Sequence, residues 1–262
     1  MHGRRERQSD EPLHRGVYLL PNLITTCGLF SGFYAIIATI DGSYQVAAVC
    51  ILIAHVFDGL DGRIARLTRS TSRFGIEYDS LSDLVAFGVA PGILVYKWAL
   101  EPWGTWGWLA ASLYVACGAL RLARFNVQAE LGAKKHFTGL PIPAAADTVA
   151  STVLLYYFFG GEGATHKHII LLVVIYGLAA LMVSNVSYNS FKSFHLNPRQ
   201  PLWILVALIV GLKFVIAEPQ IFLFTAFMLY ALSGPVTWVL GRPRARRDRP
   251  GEEPVAKVRN FR

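Results

Sequence analysis

The stretch AHVFDGLDGRIARLTRS (residues 54–70), followed after Thr71 and Ser72 by RFGIEYDSLSDLVAFGVAP (73–91), decides how this chain is read. It holds the end of one apolar segment and the start of the next. Yet Asp58, Asp61, Asp79 and Asp83 stand within or beside them. An Asp at the centre of a membrane helix costs about 2.5–3.5 kcal/mol on insertion scales, so a cluster of four needs compensating charge. Asp58 and Asp61 are spaced i, i+3 and Asp79 and Asp83 i, i+4, so each pair shares one helical face. The short basic linker makes the two helices antiparallel neighbours, and their acidic faces can converge. Hard oxygen ligands suit Mg²⁺ or Mn²⁺, and four carboxylates suffice for two ions. Gly62, one turn after Asp58, leaves an edge where a ligand can approach the backbone. Arg66 offers a fork of donors one turn further on. Arg69, Ser70, Thr71, Ser72 and Arg73 add cations and hydroxyls. Cations bridging a pyrophosphate, with arginine at the rim, make a phosphoryl-transfer site.

The rest of the chain sets that cluster in a membrane. Of 262 residues 53% are hydrophobic and only 16% charged, against about 25% charged in a soluble domain. So few charges argue against a soluble enzyme, and the apolar, 13% aromatic composition excludes disorder. Cys27, Cys50 and Cys117 sit in apolar runs and read as reduced packing residues; no CxxC pair offers a zinc site. A helix needs about 20 apolar residues to span a bilayer. Eight segments qualify, at about 22–40, 43–62, 80–99, 106–125, 143–160, 168–186, 201–217 and 220–240. With eight spans, all 25 Lys and Arg residues except Lys97, Lys167 and Lys213 fall on one side. That asymmetry predicts both termini in the cytoplasm. The +8 charge therefore marks orientation rather than nucleic-acid binding. The tail RPRARRDRP (242–250) suits anionic headgroups or solvent, and Leu13 to Leu20 suits an interfacial helix.

The pattern Asp58-x2-Asp61-Gly62-x2-Ala65-Arg66-x8-Gly75-x3-Asp79-x3-Asp83 resembles the signature of the CDP-alcohol phosphatidyltransferases at all eight fixed positions. LLPNLITTCGLFSGFYAI (19–36), GALRLARFNV (118–127) and FTGLPIPAAA (137–146) are similar to the branch of that family whose acceptor is serine. The resemblance covers about the first 150 residues and is weaker in the last spans. It implies an all-α polytopic bundle with a six-helix catalytic core, usually a homodimer, whose polar cavity opens to the cytoplasm and the membrane. The chain then divides into a cytoplasmic or interfacial segment (1–18), a membrane domain (19–240) and a basic cytoplasmic tail (241–262), expected in a bacterial inner membrane. By position, Asp58 and Asp79 would bridge two divalent cations, Asp61 would complete the first site and Asp83 the second. Gly62, Arg66 and Ser72 would contact the CDP part of CDP-diacylglycerol. Asp83 would be the general base for attack by the L-serine hydroxyl, releasing CMP.

Other assignments rest on single residues. Arg121 and Arg124, i and i+3 at the inner end of span four, with Asn126, are candidates for the serine carboxylate; the plainer reading is a positive-inside anchor. Asn22 and Thr25 either line the nucleotide end or serve as a helix cap and packing residue. His55 reads as a core histidine or as a partner of the acidic cluster, and Asp147 as a polar contact within the bundle. The prolines of GLPIP shape the entry to span five. Asn185, Asn189 and Asn197 read as turn and cap residues. The rival acceptors are glycerol phosphate, inositol phosphate and choline. A divalent-cation transporter would instead place its acids near the bilayer midplane, and a catalytically dead relative would not need the full signature.

Overall fold

The computed structural model describes residues 19–68, 70, 72–130, 139–165, 167–186, 188, 213 and 217–241. Among these the chain is all-helical, a polytopic membrane bundle of seven helices. They are α1 (Leu19–Ile40), α2 (Tyr44–Leu67), α3 (Arg73–Trp103), α4 (Thr105–Glu130), α5 (Ile142–Phe158), α6 (Ile169–Val183) and α7 (Pro219–Gly241). Helices α1, α2, α3, α4 and α7 are long and apolar enough to cross a membrane; α5 and α6 are shorter apolar helices. The candidate span at 201–217 lies almost wholly outside the described residues, as do 1–18 and 242–262.

The helices pack inside out relative to a soluble protein. On α1 the buried positions are Pro21, Thr25, Gly28, Gly32, Ala35, Ala38 and Thr39, a helical stripe of small residues. Leu23, Phe30, Phe33 and Tyr34 face outward. In lipid there is no hydrophobic gain from burying large side chains, so close backbone packing of small ones holds helices together. Gly32 shows how close: a Cβ there would lie 2.6 Å from the Cα of Ala86 on α3. Alanines 47, 48 and 54 do the same for α2, which pairs with α1 through the turn at Gly42, a residue with φ of +76°.

Helix α5 is the most enclosed, with every residue from Ala144 to Ser151 buried. It packs against α2 on one side and α7 on another. Its entry is fixed by backbone bonds. Gly139 N–H donates to the Val186 carbonyl (2.8 Å) and Leu140 N–H to that of Leu181 (3.0 Å). Pro141 and Pro143 then start the helix, where a missing N–H costs nothing. Helix α3 runs on past the acids through two wide π-helical turns, Leu84–Val89 and Tyr96–Leu100. The Phe87 carbonyl in the first accepts the Tyr114 hydroxyl at 3.2 Å. Cys50 is buried and Cys117 half-buried, but Cys27 lies on the exposed face of α1 rather than in packing.

Candidate active site

Asp58 and Asp61 come from the last turns of α2, and Asp79 and Asp83 from the first turns of α3. Because the helices join through residues 68–72, the two acidic faces meet. Carboxylate oxygens of Asp58, Asp61 and Asp79 lie within 4.8 Å of one another. Asp83 lines the same cavity. Three carboxylates this close repel one another strongly, and the packing of both helices on α1 holds them together.

Thr25 of α1 is part of that hold. Its hydroxyl lies 2.6 Å from Asp61 Oδ2 and 3.1 Å from the Pro21 carbonyl. The next residue, Thr26, pairs with the Tyr78 hydroxyl at 2.9 Å, and Ser82 donates to the Thr25 carbonyl at 3.3 Å. Asp79 Oδ1 is buried and has no hydrogen-bond partner. A buried carboxylate oxygen left unpaired costs on the order of 1–3 kcal/mol. An orphaned oxygen among converging hard donors fits a divalent cation, and these residues could hold one.

Two adjoining cavities meet at this ridge, sharing Asp61, Gly62, Arg66, Ile76 and Asp79. The smaller, about 190 Å³, is bounded by Asn22, Thr25, Ser70, Ser72 and Gly75. Ser72 caps α3, its Oγ accepting the Gly75 N–H at 3.0 Å. A Cβ on Gly75 would stand 3.1 Å from that Oγ and 3.3 Å from Asn22 Oδ1, so glycine keeps this cavity open. A Cβ on Gly62 would meet Arg66 Nη1 at 3.4 Å, which puts the guanidinium across the bare edge of α2.

The larger cavity, about 540 Å³, is bounded by Asp58, Asp83, Arg121, Asn126, Tyr188 and Tyr230, together with the α5 entry prolines. The arginines of α4 part company here. Arg121 lies on the cavity wall with its guanidinium over the Phe125 ring, 5.4 Å from the centroid. Arg124 is turned away and donates to Asn185 Oδ1 at 2.6 Å. Asn126 Nδ2 donates to Ser80 Oγ at 2.9 Å, tying the end of α4 to α3.

His55 and Asp147 make a feature that neither suggested alone. His55 Nδ1 is hydrogen-bonded to Asp147 Oδ2, and the His55 ring meets Phe87 edge-on at 5.9 Å between centroids. Asp147 is fully buried. The pair thus pins α2 to α5 one turn from Asp58, so His55 is a bonded residue rather than a packing one. Sequence reasoning missed Tyr188 and Tyr230. A tyrosine inside the apolar run of α7 was the one available signal. Arg69, Thr71, Asn189 and Asn197 lie outside the described residues.

Known proteins share this arrangement of sequence. Residues 18–183 match the family described as CDP-alcohol phosphatidyltransferase. The chain is 42% identical over 226 residues to a CDP-diacylglycerol–serine O-phosphatidyltransferase of Helicobacter pylori, covering 85% of this chain and 92% of that protein. It is 31% identical over 248 residues to the Mycobacterium tuberculosis protein of the same name, covering 90% and 86%. It is 40% identical over 171 residues to the archaetidylserine synthase of Methanothermobacter thermautotrophicus, covering 64% and 69%. The matched region holds all four acids together with the helices that bring them to one cavity, and the chain belongs to the CDP-alcohol phosphatidyltransferase family.

Proposed function

We propose that this protein transfers the phosphatidyl group of CDP-diacylglycerol to the hydroxyl of L-serine, giving phosphatidylserine and CMP. The observation that carries the reading is the convergence of Asp58, Asp61, Asp79 and Asp83 on a cavity that also holds Arg121. The serine enzymes among the relatives support the acceptor.

Asp58, Asp61, Asp79 and Asp83 would hold two divalent cations, Mg²⁺ or Mn²⁺, in this reading. Bound there, they would supply positive charge against the diphosphate and the leaving phosphate. Gly62 and Arg66 receive the diphosphate, the bare glycine edge allowing approach and the guanidinium pairing with phosphate oxygens. Asn22, Thr25 and Ser72 border the smaller cavity, which takes the cytidine end. Arg121 holds the serine carboxylate and thereby aims the hydroxyl at the β-phosphorus; Arg124, bonded to Asn185, supports α4 instead. Asp83 accepts the hydroxyl proton as the new O–P bond forms. The bond from the β-phosphorus to CMP breaks, and CMP leaves with the electron pair. The charge asymmetry supports a cavity that opens on the cytoplasmic side.

The test is CMP release by purified protein in detergent with CDP-diacylglycerol and Mn²⁺ or Mg²⁺. L-Serine is compared with glycerol 3-phosphate, inositol phosphate and choline. Release that needs both serine and metal is expected. Release driven by another alcohol would overturn the acceptor assignment and keep the metal site. None with any acceptor, in folded protein, would overturn the whole reading.

A further inference from the structure

The family match ends at residue 183, yet the larger cavity is completed by two side chains beyond it, Tyr188 and Tyr230. Everything that handles the diphosphate lies on α1, α2 and α3. Members of a family with one signature and several acceptors must distinguish those acceptors elsewhere on the cavity wall. We propose that Tyr230 is an acceptor-specificity residue that completes, with Arg121, the place where the acceptor's carboxylate binds, and that Tyr188 is the positioning residue that sets it there. This rests on the serine reading above and names a part of the site that reading leaves unassigned.

The geometry is as follows. Tyr230 and Arg121 line the same cavity as Asp83. A guanidinium stacked on Phe125 presents fixed N–H donors, and a phenol adds one O–H donor for the same anion. An acceptor with no anionic group, such as ethanolamine or choline, gains from neither. Tyr188 fixes the register of α7: its hydroxyl donates to the Ala231 carbonyl at 3.0 Å, the residue after Tyr230. Its ring lies 5.6 Å from that of Tyr230. It also fills the space beside Gly234, where any Cβ would collide with the ring. Tyr188 is buried, as is Ala231. Helix α7 packs on α5, so this contact relays to the cavity rather than to a distant surface.

The experiment measures kcat and both KM values for Tyr230→Phe, Tyr230→Ala and Gly234→Ala, with L-serine and with ethanolamine, which lacks the carboxylate. Loss of a hydrogen bond to a charged group is worth about 10- to 150-fold in binding. Tyr230→Phe should therefore raise the serine KM by about that factor, with the CDP-diacylglycerol KM within about twofold by the same measure. Tyr230→Ala should narrow the preference for serine over ethanolamine. Gly234→Ala, outside the cavity lining, should raise the serine KM by displacing Tyr188. An unchanged serine KM in both Tyr230 variants of a serine-active protein overturns this inference alone. A parallel rise in both KM values with a lowered melting temperature overturns it in favour of a purely structural role. A folded wild type that ignores serine removes the serine reading and this inference together.

Discussion

One wall of the cavity is a single helical hairpin, α2 into α3, which carries all four acids, Gly62 and Arg66. The facing wall takes Arg121 and Asn126 from α4, Pro141 and Pro143 from the entry of α5, Tyr188, and Tyr230 from α7. The first wall is local and rigidly spaced, because two i, i+3/i+4 pairs on adjoining helices meet wherever the hairpin closes. The second exists only once distant helices have packed. A wall built from one hairpin suits chemistry that stays constant, and a wall drawn from several elements suits the part of the substrate that varies. The proposed division of labour, diphosphate on one side and acceptor on the other, follows from that contrast.

The comparison breaks first at Asp83. Asp83→Asn should lower kcat by about 10²- to 10⁴-fold with every acceptor, as loss of a general base does; CMP release at saturating substrates measures it. A loss confined to serine would move Asp83 to the acceptor wall. Arg121→Lys keeps the charge and loses the fork, and should raise the serine KM by about 10- to 100-fold while sparing the CDP-diacylglycerol KM. Arg124→Lys, whose partner is Asn185, should leave serine kinetics near wild type. Equal effects at both positions would erase the distinction between them.

A fourth variant sharpens the hairpin side. Thr25→Val removes the 2.6 Å contact to Asp61 and keeps the shape. The metal concentration for half-maximal activity should rise about 10-fold, in line with lost support of a metal ligand. Its serine KM should hold. The smallest effect is expected at Ser72→Ala, which uncaps α3 and should cost about 1 kcal/mol of stability, read from thermal melts. If Ser72 also touches the nucleotide, its CDP-diacylglycerol KM rises in addition.

The hairpin was legible because spacing alone carries it. Asp58, Asp61, Asp79 and Asp83 can be put on facing sides of two helices from periodicity, and the cost of acids in lipid demands a reason for them. The apolar runs likewise marked the helices, although α3 begins at Arg73, before the apolar run, since its first turns are polar site residues. Choosing between Arg121 and Arg124 was beyond sequence, since i and i+3 residues share a face and it is tertiary contacts, Asn185 for Arg124 and the Phe125 ring for Arg121, that separate their fates. The His55–Asp147 pair spans 92 positions and follows from the packing of α2 on α5. Tyr230 looks like an interfacial aromatic until α7 is seen against the cavity. Contacts of this kind obey no period, and the bundle must be assembled before they appear.

Incorporation of isotopically labelled L-serine into a lipid-extractable product tests the central claim most directly. Purified protein would be given CDP-diacylglycerol with and without Mn²⁺, beside Asp83→Asn and Arg121→Lys. The account predicts metal-dependent label in lipid, abolished by Asp83→Asn and restored at high serine concentration in Arg121→Lys. Label that needs no metal, or that survives Asp83→Asn unchanged, would contradict it.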